Sequence, residues 1–208
     1  MIKAIIFDMD GVLVDAREWH FLALNRALQL FGYEITRGDH LSIFDGLPTS
    51  SKLKMLTEQN QFPEQLHLFV GEMKQKYTEQ EISEHCRPVF RVEYALSELK
   101  KQGYLLGLGT NSISYTKDLM LRKSAINHYF DIALSNEDVM YPKPNPEIYI
   151  KIINFFGLSP NECLILEDNA YGLEAAKLSG AHVLKINSVE EVNLKNIMQK
   201  ITLCEVVA

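Results

Sequence analysis

The apolar run Ala4 to Phe7 stops abruptly in Asp8-Met9-Asp10-Gly11. A run this short, with no polar face, suits a central strand of a parallel sheet, buried on both sides. Open parallel α/β sheets bind ligands just beyond the carboxyl ends of their strands. Asp8 and Asp10 are therefore expected at the mouth of a site, on a turn that Gly11 lets fold back tightly. Their spacing of two gives both side chains the same facing while strand geometry persists. Two such carboxylates stay ionised together only if positive charge lies between them; otherwise one takes a proton. Mg²⁺ meets that need, because it favours hard oxygen ligands and commonly keeps one or two carboxylates, several waters and a substrate phosphate. The plainer alternative is an acidic turn after a strand.

Three later stretches could join them: Thr110-Asn111-Ser112, Lys143 within Lys143-Pro144-Asn145-Pro146-Glu147, and Glu167-Asp168. Each has a structural alternative. The first could cap a helix, the lysine could be a solvated loop residue, and the acids could form another turn. The two prolines stiffen the lysine loop and would fix where the ammonium points. All strand ends of a parallel sheet point the same way, so four such ends can converge on one place.

The elements that must position them follow from periodicity. Asp15 to Gly32 reads as a helix, with Asp15 as N-cap and Glu18 completing a capping box. Residues 36–85 keep helical spacing, broken at Asp45-Gly46-Leu47-Pro48 and around Phe62-Pro63. From Pro88 onward helices and strands alternate. Helices are predicted at Val92–Gln102, Tyr115–Lys123, Pro146–Phe156, Ala170–Ser179 and Val189–Ile201. Strands are predicted at Tyr104–Leu108, Asp131–Leu134, Cys163–Leu166 and His182–Ile186. With the opening strand this is a doubly wound parallel α/β core. The core comprises residues 1–14 and 86–208, and residues 15–85 form an inserted α-helical cap domain.

Composition agrees with one soluble domain plus an insertion: of 208 residues, 47% are hydrophobic and 23% charged. The net charge of −6 argues against nucleic acid as a partner. Cys86, Cys163 and Cys204 form no paired motif, so neither a disulfide framework nor a zinc site is expected. No apolar run approaches the length of a membrane span, and the N-terminus passes straight into a strand with no room for a signal peptide. A cytoplasmic setting, no membrane partner, and a monomer or weak homodimer are the expectations.

Taken in order, Asp8-Met9-Asp10-Gly11-Val12, Thr110, Lys143 in its KPxP setting and Glu167-Asp168 with Gly172 resemble the motifs of the haloacid dehalogenase superfamily of phosphatases and mutases. The resemblance spans nearly the whole chain, and the helical insert is similar to the small cap of the β-phosphoglucomutase-like branch. It implies a Rossmann-like core with strand order 5-4-1-2-3, placing the Asp8 and Asp168 strands side by side. It implies Asp8 as a nucleophile that forms an aspartyl-phosphate, and Asp10 as general acid, then general base. It implies Mg²⁺ held by Asp8, the Asp10 carbonyl, Asp168 and an assisting Glu167. Thr110, the Asn111 amide and Lys143 would hold the phosphoryl oxygens. Asp10 must carry a proton at neutral pH, far above the ordinary carboxylate value of about 3.9; a closed, partly dry site would raise it, and closure is a natural task for the insert.

In the insert, His20 resembles a cap residue of the β-phosphoglucomutases, the plainer alternative being a packed or surface helix histidine; His20, Gly46 and Lys74 are the expected substrate contacts there. The mutases carry an arginine in the loop that corresponds to Asp45-Gly46-Leu47-Pro48-Thr49-Ser50-Ser51-Lys52. Here there is none, and Lys52 or Lys74 lacks its bidentate fork. Pro88-Val89-Phe90 also departs from the usual Pro-Gly turn. An Mg²⁺-dependent phosphatase acting on a small phosphorylated metabolite, such as a sugar phosphate, is thus expected, with a phosphosugar mutase as the alternative. A receiver-like signalling module fits worse, since its phosphorylated aspartate belongs on the third strand and it carries no insert.

Overall fold

In a computed structural model, which describes residues 1–206, Ala4–Phe7 forms β1 with all four side chains buried. Four further strands join it: β2 (Leu105–Gly109), β3 (Ile132–Leu134), β4 (Cys163–Glu167) and β5 (His182–Lys185). They make one parallel sheet in the order β3-β2-β1-β4-β5, the predicted order read from the other edge. Register matters most here. Phe7 lies level with Leu108 on one side and Leu166 on the other. The residues that follow on β1, β2 and β4 therefore leave the sheet at one rim.

The helices are α1 (Arg17–Gln29), α2 (Arg37–Asp39), α3 (Thr49–Asn60), α4 (His67–His85), α5 (Phe90–Lys101), α6 (Ser114–Lys123), α7 (Glu147–Phe155), α8 (Ala170–Leu178) and α9 (Leu194–Val206). α7 buries Ile148, Tyr149, Ile152 and Ile153, which pack with Ala4, Ile6, Cys163 and Ile165 of the sheet and Ala175 and Ala176 of α8. Each isoleucine so buried contributes about 1.5–3 kcal/mol. A Cβ at Gly107 would meet Ile152 Cγ2 at 2.6 Å, so the bare backbone of β2 is what admits α7. Strand alternation sends Ile5 and Phe7 to the opposite face, where the Phe7 ring meets Phe130 edge-on at 6.1 Å.

The chain divides into two compact units. One comprises Met1–Asp15 and the chain from Arg87 onward; the other is Ala16–Cys86. The second is wholly helical and has its own core of Leu24, Ala27, Leu28, Phe44, Leu53, Leu56, Phe62 and Val70. Asn25 fixes its first loop, donating to the Ile35 carbonyl and accepting from the Ile35 amide.

Two local expectations are corrected. Asp15 does not cap α1: the helix starts at Arg17, and Ala16 stands at the cap position without a side-chain bond. Turn bonds such as Gly11 N–H to the Val14 carbonyl occupy the preceding residues and delay the helix. Glu18, freed from any capping box, instead accepts from Arg37. The last helix begins at Leu194, not Val189, because the Asn193 side chain accepts from the Asn196 amide at 3.0 Å and sets a new start.

Candidate active site

At the end of β1, Asp8 is buried and its amide still pairs with the Leu166 carbonyl of β4 at 3.0 Å. The Lys143 ammonium donates to Asp8 Oδ1 at 2.7 Å and to Glu167 Oε1 at 2.5 Å. All three are almost wholly shielded from solvent. Glu167 has two further donors, the Tyr149 hydroxyl on Oε1 and the Asp168 amide on Oε2. The ammonium also lies 4.7 Å from the centroid of the Tyr149 ring, a cation–π contact. Asp168, one residue beyond β4, completes a group with Asp8 and Glu167 whose carboxylate oxygens lie within 4.8 Å of one another.

Lys143 comes from a loop, and its aim is set from outside that loop. The Asn111 side chain accepts from the Lys143 amide at 3.0 Å and donates to the Lys143 carbonyl at 3.2 Å. The Lys143–Pro144 peptide is cis. On the far side of the loop, Glu147 accepts from the amides of Met140 and Tyr141 and pairs with Lys151. Its bonds with Lys151 and then with those two amides hold the Glu147 carboxyl down at about 2.

At the end of β2, the buried Thr110 hydroxyl donates to Asp10 Oδ2 at 3.3 Å, and Ser112 donates to the same oxygen at 2.9 Å. Thr110-Asn111-Ser112 does not cap α6, whose cap position is Ile113. Asn111 clamps the lysine loop with its side chain, a contact beyond the backbone role expected of it. Ser112 lies in an expected stretch but was given no role of its own, and Tyr149 lies outside the expected motifs. Tyr149 was legible only as part of a helix; that a buried phenol needs a hydrogen-bond partner is the general hint that points to it.

Burial raises the Asp8 carboxyl well above the carboxylate range, and Glu167, Asp168 and Asp10 add to the rise, while Lys143 opposes it. Glu167 is raised for the same first reason, with Lys143 again opposing. Burial lowers the Lys143 ammonium, but Asp8 and Glu167 outweigh it, so its affinity for the proton ends above normal. One ammonium thus only partly offsets three crowded acids. That donor set, all hard carboxylate oxygen with a residual negative excess, fits Mg²⁺. Asp8 and Asp168 are the ligands best able to reach a cation, because both oxygens of Glu167 already accept from Lys143, Tyr149 and Asp168.

The remaining expected site residues belong to the helical unit. Lys74 Nζ lies 3.2 Å from His20 Nδ1. Gly46 takes a positive φ of 76° in the turn before α3, a conformation that favours glycine.

The sequence matches the family described as haloacid dehalogenase-like hydrolase over residues 5–186. A phosphorylated carbohydrates phosphatase of Thermotoga maritima is 31% identical, over 86% of this chain and 82% of that protein. A phosphoglycolate phosphatase of Aquifex aeolicus is 26% identical, over 86% of this chain and 81% of that one. The crystal structure of a β-phosphoglucomutase from Clostridium difficile superposes with a TM-score of 0.84 at 23% identity, covering 99% of this chain and 100% of that one, a likeness of fold. With ordered motifs on the predicted strand ends and a family match over most of its length, the chain belongs to the haloacid dehalogenase-like hydrolases.

Proposed function

We propose that this chain is an Mg²⁺-dependent phosphatase that hydrolyses a small phosphorylated metabolite, such as a sugar phosphate, through an aspartyl-phosphate. The observation that carries the reading is the convergence of Asp8, Lys143, Glu167 and Asp168 at one rim, beside an Asp10 carboxyl held by two hydroxyls. The phosphatase names of the similar proteins from Thermotoga maritima and Aquifex aeolicus support it.

In this mechanism Asp8 attacks phosphorus. The new Asp8–phosphorus bond forms as the ester bond breaks, and Asp10 gives its proton to the leaving oxygen. Thr110 and Ser112 hold Asp10 Oδ2 and so orient the carboxyl that carries the mobile proton. Water then attacks phosphorus, returns a proton to Asp10 and releases Asp8. Lys143 and Thr110 stabilise the phosphoryl oxygens as charge shifts onto them. Asp8, the Asp10 carbonyl and Asp168, with Glu167 behind them, would hold Mg²⁺. When bound, the metal supplies charge neutralisation for the phosphoryl group. The helical unit we assign as a cap bearing the substrate contacts His20, Gly46 and Lys74. The three cysteines are buried thiols, which agrees with a reducing, cytoplasmic setting. Among the described residues no helix is long and apolar enough to cross a membrane. We take the working form to be a monomer or weak homodimer.

The test is phosphate release from a panel of phosphorylated sugars, nucleotides and small acids, with Mg²⁺ and with EDTA. Turnover that survives full chelation refutes the metal assignment. Asp8→Asn is expected to lower kcat by at least ~10³-fold; near-normal turnover refutes Asp8 as nucleophile. A sugar phosphorylated at its anomeric carbon separates hydrolase from mutase: inorganic phosphate marks the first, an isomeric sugar phosphate the second.

A further inference from the structure

Tyr149 combines an apolar place with a polar contact. Its ring is fully buried in the cluster that Ile148, Ile152 and Ile153 of α7 form with Ile6 and Ile165 of the sheet. It lies against the backbone of β2, since a Cβ added to Gly109 would meet its Cε1 at 3.4 Å. A phenylalanine would fill that space equally well. The hydroxyl is therefore surplus to packing, and a buried hydroxyl is unfavourable without a partner. Among the described residues its hydrogen bond goes to Glu167 Oε1.

That same oxygen accepts from the Lys143 ammonium at 2.5 Å. A carboxylate oxygen offers about two lone-pair sites, so two donors fill it. The other oxygen, Oε2, accepts from the Asp168 amide at 3.1 Å. Glu167 so occupied cannot draw the ammonium wholly to itself, and Lys143 keeps its second bond, 2.7 Å to Asp8 Oδ1. The Tyr149 ring supports the ammonium from another side, with its centroid 4.7 Å from Nζ. One side chain thus acts on both members of an ion pair, the carboxylate through its hydroxyl and the ammonium through its face. Lys143 comes from a loop, whereas Tyr149 stands on α7, which its buried isoleucines dock on the sheet.

We propose that Tyr149 is a positioning residue: its hydroxyl limits the hold of Glu167 on Lys143 and its ring seats the ammonium, so that Lys143 stays shared with Asp8, where the phosphoryl group would be transferred. The proposal rests on the phosphatase reading and adds to it the group that aims the lysine. Tyr149 acts through Lys143 and Glu167. Its effect falls on the transition state more than on substrate binding, because the ammonium is needed most as charge moves onto the phosphoryl oxygens.

Tyr149→Phe removes the oxygen and keeps the ring; Tyr149→Leu removes both. Each is compared with the unaltered full chain on p-nitrophenyl phosphate with Mg²⁺, with orthovanadate as an inhibitor that adopts the five-coordinate geometry of phosphoryl transfer. Tyr149→Phe is expected to leave KM unchanged, to lower kcat by about tenfold or more, and to weaken vanadate inhibition by a similar factor. Tyr149→Leu is expected to lose more of both; if it fails to fold, the phenylalanine variant decides alone. A tyrosine that serves packing only would leave kcat and vanadate inhibition of Tyr149→Phe as they were, and that result overturns the proposal. So does a loss carried entirely by KM. The nitrogen resonance of the Lys143 ammonium, assigned by its absence in Lys143→Arg, is a readout that needs no turnover. It is expected to move in Tyr149→Phe, where the ring and its shielding remain; an unmoved resonance overturns the proposal. Failure of the unaltered chain to release phosphate overturns the phosphatase reading instead, and the resonance still decides the role of Tyr149.

Discussion

A methyl group at position 172 would land 2.1 Å from the Glu167 carboxyl carbon. Gly172 opens α8 and has no room to move, because its amide already donates to Asn169 Oδ1 at 2.9 Å. Gly172→Ala must therefore push Glu167 off Lys143 and Tyr149. Losing the hydrogen-bond partner that orients a ligating group typically costs about 10–100-fold in metal affinity or activity. The expected result is a loss of that size in kcat, with a raised Mg²⁺ requirement; an unaltered magnesium titration would show that Glu167 has no part in the site. Asn111→Ala releases the Lys143 backbone in the same spirit. It should lower kcat by roughly 10-fold or more while α6, which Asn111 does not cap, keeps its stability.

Elements answer to different forces. α8 is started by Asn169, whose side chain accepts from Gly172, so Asn169→Ala should cost about 1 kcal/mol in chemical denaturation. Gly107→Ala is the harsher change in β2. The added Cβ meets Ile152 at 2.6 Å and Phe156 at 3.3 Å, both on α7 or its last turn. Overpacking of this kind costs about 1–3 kcal/mol. It also shifts the helix that carries Tyr149, so activity should fall along with the denaturation midpoint. A variant as stable as the original would mean that α7 rides on the sheet more loosely than the distances indicate.

At the scale of the whole molecule, one buried group couples stability to pH. His40 titrates near 6.5 when unfolded and at about 4 in the folded chain, a depression caused first by burial and then by Lys52, His20 and Lys74. Between those values the unfolded state binds the proton more readily. Stability therefore rises with pH through this window and is lost as pH falls from about 6.5 toward about 4. The loss amounts to ~3 kcal/mol from this group. Denaturation midpoints near pH 7 and about pH 4.5 should converge in His40→Phe relative to the unaltered chain; equal pH dependence in both would remove His40 as the cause. Magnesium acts in the opposite sense, since an ion that binds only the folded state at about 100 times its Kd adds ~2.7 kcal/mol. Mg²⁺ should therefore raise Tm by several degrees, and Asp168→Ala should remove that rise.

The sheet was legible because short runs apolar on both faces, each followed by Gly, Pro or acid, have few other ways to bury themselves. Ala4–Phe7 emerged with its predicted ends. The residues after β1, β2 and β4 leave the sheet at one rim because parallel strands point the same way, whereas Lys143 reaches Asp8 and Glu167 from a loop. The helix starts were less legible: whether Asp15 or Ala16 leads α1, or whether α9 begins at Val189 or Leu194, depends on turn bonds that compete with the local signal. Partners distant in sequence lay beyond local reading altogether. Nothing near Tyr149 says that its hydroxyl reaches Glu167, nothing near Ser112 that it holds Asp10, and nothing near His40 that it is buried among lysines. Periodicity along one segment decides which face is apolar. Which polar atoms meet inside is decided by register and helix docking, and those exist only once the chain has folded.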